Sequence, residues 1–245
     1  MRAFLFLFLL ILKSAAAFSA EENCPALKVG ERLEFGVSWM GIPVGTGTLE
    51  VKEKIEVRGR PAIHLVATAR TNDFLSKIYP VSDEIHSFVD AEKWRSLEFR
   101  KKLKEGRYRA DERIVFDYEK RKGFYESFLN GGKKEMDIPA SVQDLLSAFY
   151  AFRMKPVKTG DRVHMEVNSE EKNWDLELDV LSREVKELRG GRVMETFKVE
   201  PRTRLKGALQ ARGRAWVYFT ADEKKLPVWV TLQTPFGPIV GVLAD

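Results

Sequence analysis

Apolar and polar side chains alternate with a period of two through almost the whole chain, which restricts the fold to strands with one buried and one wetted face. Leu33, Phe35, Val37 and Trp39 fall on one side of such a strand, with Arg32, Glu34 and Ser38 on the other. Leu49, Val51, Ile55 and Val57 alternate with Glu50, Lys52, Lys54 and Glu56. The pattern returns around Ile63–Ala69, Leu97–Leu103, Ile114–Tyr118, Val163–Val167 and Trp174–Val180. Polar turns such as Asn130-Gly131-Gly132, Thr159-Gly160-Asp161 and Arg189-Gly190-Gly191 interrupt it at the spacing of a meander. The reading is a mainly β protein, an antiparallel sheet that is curled or barrel-like. No β–α–β rhythm is present, which excludes doubly wound and TIM-barrel architectures.

One segment breaks the alternation. Val142, Leu145, Leu146, Phe149 and Phe152 recur at helical spacing between Pro139 and Pro156, and predict one amphipathic helix over about 141–153. Ser141 is its expected N-cap, with Asp144 three residues on, and Arg153 and Lys155 suit the C-terminal end of the helix dipole. The helix joins two strand-rich halves, 25–138 and 157–245, of a single β-rich domain, 25–245. A helix this short is not stable alone, so its stripe is expected to pack on the concave side of the sheet.

The N-terminus has the layout of a cleaved secretory signal within residues 1–20. A basic start at Arg2 precedes ten apolar residues, Ala3–Leu12, and then Lys13 and the small residues Ser14–Ala17. Ten residues cannot cross a bilayer, and small residues suit cleavage near 17–20. Glu21, Glu22 and Asn23 before the lone Cys24 do not fit a lipidation signal, so the expected product is periplasmic and not a lipoprotein. A single Cys excludes an intrachain disulfide and a Cys-based zinc site. The net charge of +5 falls to +3 without Arg2 and Lys13, too weak a field for nucleic acid.

Chemistry-bearing motifs are absent: there is no nucleophile elbow, phosphate-binding loop or paired-His zinc motif. The run Gly41–Gly47 leads into a strand and reads as a turn or bulge. Of the three histidines, His64 reads as a strand residue facing solvent or a polar lumen, and His164 shares its face with Glu166. His86, close to Asp83 and Glu84, is the one local acid/base candidate. Basic residues cluster at Arg100, Lys101, Lys102, Lys104, Arg107, Arg109 and Arg113, interleaved with Phe99 and Tyr108, and again at Arg202, Arg204, Lys206, Arg212 and Arg214. Either cluster is a solvated outer face or a contact for anionic headgroups.

Several segments in order resemble the bacterial exported family known as domain of unknown function 3108 (DUF3108). They are Gly30–Phe35, Gly41–Gly45, Val89-Asp90, Ile138–Arg153, Gly160-Asp161 and Asp222–Val228. Phe35 departs from the family pattern, which has an aromatic with a hydroxyl there. The resemblance implies a periplasmic, β-rich protein and transfers no catalytic residue or cofactor. The expectation is a non-enzymatic envelope protein that binds a lipid, a lipoprotein acyl chain or an envelope glycan, as a monomer or weak oligomer. The residues expected to line its cavity or core are Phe35, Trp39, Leu49, Leu97, Phe99, Trp174 and Leu176 on the sheet, with Leu146 and Phe149 on the helix. The rivals are a hydrolase of envelope polymer and an adaptor that pairs through exposed strand edges.

Overall fold

The computed structural model describes residues 27–169, 171–205, 208–210 and 214–244. The secretory signal, its cleavage region and Cys24 lie outside the described residues. The N-terminal half is a meander of β1 (Arg32–Trp39), β2 (Ile42–Val57), β3 (Arg60–Thr71), β4 (Ser82–Asp90), β5 (Ser96–Glu105), β6 (Tyr108–Asp117), β7 (Lys122–Ser127) and β8 (Lys133–Asp137). A single helical turn, α1 (Asp73–Ser76), interrupts the β3–β4 connection, and the helix α2 (Leu145–Arg153) follows β8. The C-terminal half holds β9 (Arg162–Ser169), β10 (Lys172–Glu187), β11 (Val193–Leu205), β12 (Ala208–Gln210), β13 (Arg214–Thr220), β14 (Pro227–Thr234) and β15 (Gly237–Leu243).

All strands belong to one antiparallel sheet, as the alternation predicts. β1 pairs with β15, which fuses the two meanders, and β8 and β9 are left as the two ends of the strand order. The sheet therefore curls without closing its backbone ladder. The β8–β9 connection carries α2, and the sheet wraps around this helix. On one side Leu146 and Tyr150 pack with Val51, Ile63, Leu65 and Val89 of β2–β4. On the other, Ala148 and Phe152 pack with Val167, Leu178, Phe197 and Phe219 of β9–β13. The Phe152 and Phe219 rings lie 4.8 Å apart. The helix thus holds the two halves of the core together.

The helix begins three residues later than its periodicity suggests. Its N-cap is Asp144, not Ser141: the Asp144 carboxylate accepts from the Leu146 and Ser147 amides, and Ser147 Oγ returns the contact to the Asp144 amide. Residues 142–143 are drawn out of the helix by the sheet. Val142 O accepts from the Ser96 amide, and Gln143 exchanges backbone hydrogen bonds with Glu166 O and the Asn168 amide, as a parallel bridge on the β9 edge. Backbone pairing on a buried edge outweighs the modest gain of one more helical turn. The stripe is also redistributed. Leu146 and Phe152 are buried, Phe149 is half-buried, and Leu145 is 50% exposed. Polar residues fill much of the hidden surface, since Ser147 and Arg153 are buried completely.

The glycine run after β1 is a turn and a bulge together. Met40 and Gly41 take positive φ at the hairpin tip, and the β1–β2 register shifts between Val37 and Ser38. Gly45 faces Thr71, and a Cβ there would lie 2.1 Å from the Arg70 carbonyl oxygen. Only glycine permits that approach of β2 to β3.

Candidate ligand-binding site

A cavity of about 410 Å3 opens beside α2, where the sheet fails to close. Strand register explains its wall. Leu49, Ala67, Ile85, Lys101 and Glu112 face one another in a row across β2–β6. The next row on the same face runs from Phe99 through Ile114 to Tyr125 and Lys134. Period two places both rows on the face turned to the helix, where Leu145, Leu146 and Phe149 roof the cavity. Asn168, Ser169 and Glu171 close it from the far side of the open seam.

Most of this wall is apolar, and its polar groups gather toward the seam. Lys101 Nζ pairs with Glu112 Oε2 at 2.9 Å inside the cavity. Lys134 Nζ reaches Glu171 Oε2 at 2.9 Å from β8 to the β9–β10 turn. Two neutral contacts also bridge the edges: Asn173 Nδ2 donates to Asp137 O at 2.6 Å, and Asn168 Nδ2 approaches Met136 Sδ at 3.3 Å. Side chains, not a backbone ladder, close the barrel here. Burial and the neighbouring Glu112 push the Tyr125 phenol above its ordinary pKa.

The residues expected from sequence to line a cavity divide into four groups. Phe99, Leu49, Leu146 and Phe149 line it. Phe35, Trp174 and Leu176 are packed core: Phe35 lies with Leu33, Tyr218 and Leu243, and the other two lie under α2. Leu97 is buried beside a separate pocket of about 150 Å3 near Arg58 and Phe116. Trp39 is in none of these places. It is 37% exposed at the β1–β2 hairpin tip, and its indole N–H donates to Phe236 O. Alternation assigns it a face but not its distance from the core.

Of the acid/base candidates, His86 and Glu84 lie on the face turned away from the helix. His86 Nε2 approaches Glu84 Oε1 at 3.1 Å, while Asp83, of opposite parity, accepts from the Lys104 amide instead. The missing partner is His64, one strand away: its Nε2 lies 2.9 Å from His86 Nδ1, and its Nδ1 lies 3.4 Å from Glu53 Oε1. Its ring stacks on Phe88 at 4.4 Å. The expectation that His64 faces solvent or a polar lumen fails, since it is 6% exposed and lies on the face away from the helix. The pairing lies on different strands and could be found only from register.

Burial lowers the His64 pKa, opposed by its Glu53 contact and reinforced by His86. An unfolded histidine takes up its proton near pH ~6.5, before the folded one does. Between the two pKa values the unfolded chain binds more protons, so stability falls as the pH falls. Melting temperatures measured from neutral pH down through that window should therefore decline, and His64→Gln should flatten part of the slope. An unchanged slope in the variant would remove His64 as the cause.

Among the described residues, part of each basic cluster is paired with acids. Arg100 and Arg113 share Glu98, Lys102 pairs with Asp111, and Lys101 turns inward. Arg202 and Arg214 both bind Glu200; the Arg204 side chain, Lys206 and Arg212 lie outside the described residues. His164 sits 3.3 Å from Asp175 and is half exposed. Among the described residues, no helix is long and apolar enough to cross a membrane.

The family described as "Protein of unknown function (DUF3108)" matches residues 34–244. The chain belongs to that family. No curated protein matches it. Among solved structures, a β-barrel-like protein of domain of unknown function DUF1849 from Brucella abortus is similar at a TM-score of 0.54 and 11% identity, over 87% of this chain and 95% of that one. A Bacteroides fragilis protein with a YmcC-like fold aligns over 88% of this chain and 94% of its own, at 11% identity and a TM-score of 0.30. The Brucella likeness shows that the barrel-like fold is shared outside DUF3108.

Within this family member, three of the segments that carry the resemblance meet at one point. Arg153, at the end of α2, forms two hydrogen bonds to Glu31, from Nη1 at 2.5 Å and from Nη2 at 2.9 Å. Its Nε donates to Lys224 O, and Lys225 Nζ donates to the Arg153 carbonyl. Sequence reasoning assigned Arg153 to the helix dipole and missed this anchor, because its partners are far away in the chain.

Proposed function

We propose that this DUF3108 member is an exported envelope protein that holds an apolar or amphipathic ligand, without catalysis, in the cavity between α2 and the inner face of β2–β7. The supporting observation is the cavity itself. Its 410 Å3 falls within the range of about 300–1,000 Å3 usual for small-molecule sites, and such sites are mostly apolar with a few polar groups at one end. Its placement at an open seam gives a ligand a route in that crosses no backbone ladder. The signal-like N-terminus supports export to the periplasm, where lipid, lipoprotein acyl chains and amphipathic glycans are the ligand classes at hand.

The hydrolase reading draws less support. Its best acid/base string, Glu84–His86–His64–Glu53, is on the outer face, away from the cavity. The test is to purify the exported protein without detergent, extract it with organic solvent and identify the extract by mass spectrometry. A stoichiometric amphiphile is the expected result. Extracts that match those of an unrelated periplasmic protein would reject the reading.

A further inference from the structure

The polar end of the cavity constrains the head of its occupant. The lining charges are Lys101, Glu112 and Glu171, and each is already paired. Lys101 is engaged by Glu112, and Glu171 by Lys134, both at 2.9 Å. An anionic head would have to open one of these pairs or lie beside a carboxylate.

One buried group among the described lining residues is left without a partner, and it is an acceptor. Asn168 is 2% exposed and belongs to the wall, and its Oδ1 is buried with no hydrogen bond. The orientation of its amide is fixed by a relay. Asn173 Nδ2 donates to Asp137 O, so Asn173 Oδ1 is the atom that receives Asn168 Nδ2, at 2.8 Å. A flip of Asn168 would set two carbonyl oxygens against each other. The carbonyl of Asn168 is therefore the free end. Buried acceptors are nearly always satisfied, and an unpaired one beside a cavity calls for a donor from outside the protein. Ser169 adds a hydroxyl to the same wall.

Resting on the binding reading above, we propose that the cavity takes a single-chain amphiphile whose head is uncharged and carries hydroxyl or amide hydrogen-bond donors, in preference to a free fatty acid. The chain lies along Leu49, Ala67, Ile85 and Phe99 under Leu146 and Phe149, and the head meets Asn168 and Ser169 at the seam.

The test uses the delipidated mature protein loaded with the neutral fluorescent probe N-phenyl-1-naphthylamine. Monolauroyl glycerol and laurate share one chain and differ in the head, and both are titrated below their aggregation limits at mildly alkaline pH. Monolauroyl glycerol should displace the probe at about tenfold lower concentration, a difference well within the effect of one polar contact. Asn168→Leu should weaken the glycerol ester and narrow the gap. Should that variant fold poorly, Glu112→Gln provides a second reading: it frees Lys101, and laurate should then bind more tightly. Laurate displacing the probe as well as the ester does in the unmutated protein would overturn the head preference and leave the cavity reading standing. Failure of the cavity to bind probe, ester and laurate alike would overturn both.

Discussion

Arg153→Ala is expected to destabilise the protein by about 3–5 kcal/mol, the cost of breaking a buried ion pair by removing one partner. For a chain of this size that is a drop in melting temperature of roughly 6–20 °C. The guanidinium has no solvent exposure, and Glu31 is 16% exposed, so neither charge has much water to fall back on. Arg153 also carries the Lys224 carbonyl, and its own carbonyl receives Lys225. The substitution therefore loosens the entry to β1, the end of α2 and the turn before β14 at once. Glu31→Ala should cost a comparable amount, and the double variant far less than the sum, because each single change strands the other charge. Additive effects, measured by denaturant or thermal unfolding, would show that the pair is not a unit.

Asp144→Ala should produce a loss of similar size. An N-cap alone is worth about 0.5–2 kcal/mol, but this cap does more. Its Oδ2 accepts from Ser87 at 2.5 Å and Ser96 at 2.6 Å, tying the start of α2 to β4 and β5. Removing the carboxylate leaves two buried hydroxyls and two helix amides short of an acceptor, at about 1–3 kcal/mol for each group that finds no other. The total expected loss is roughly 3–5 kcal/mol. Complete burial pushes the Asp144 carboxyl above its ordinary range, against the pull of these donors. Asp144→Asn keeps one acceptor oxygen and should cost clearly less than alanine. Equal losses in the two variants would mean that the hydrogen bonds to Ser87 and Ser96 contribute little.

Both anchors show where sequence reasoning stops. The alternation was sufficient for the sheet because each strand reports its own buried face locally. It placed Leu49 and Phe99 on the inner face, and helical spacing placed Leu146 and Phe149 opposite them. It could not separate a core position from a cavity position, so Phe35 and Trp174 were grouped with Phe99. That distinction depends on how far the sheet curls and on the seam left between β8 and β9. The same limit explains Ser141. Its spacing suits an N-cap, but the β9 edge takes up residues 142–143 as backbone partners, and the start of the helix moves to Asp144. Glu31–Arg153, Ser87–Asp144 and His64–His86 join distant segments, and no local pattern announces them.

The central claim is that the space beside α2 is a binding site and not an accident of packing. Ala67→Trp tests it most directly. Ala67 sits in the middle of the inner row between Leu49 and Ile85, and an indole there would occupy the cavity while leaving the Arg153 and Asp144 anchors intact. Native mass spectrometry of the exported wild-type protein and of this variant, purified side by side, gives the comparison. The account predicts a small amphiphile bound to the wild type and absent from the variant, with both proteins folded by thermal melt. The same bound species in both, or none in either, would contradict it.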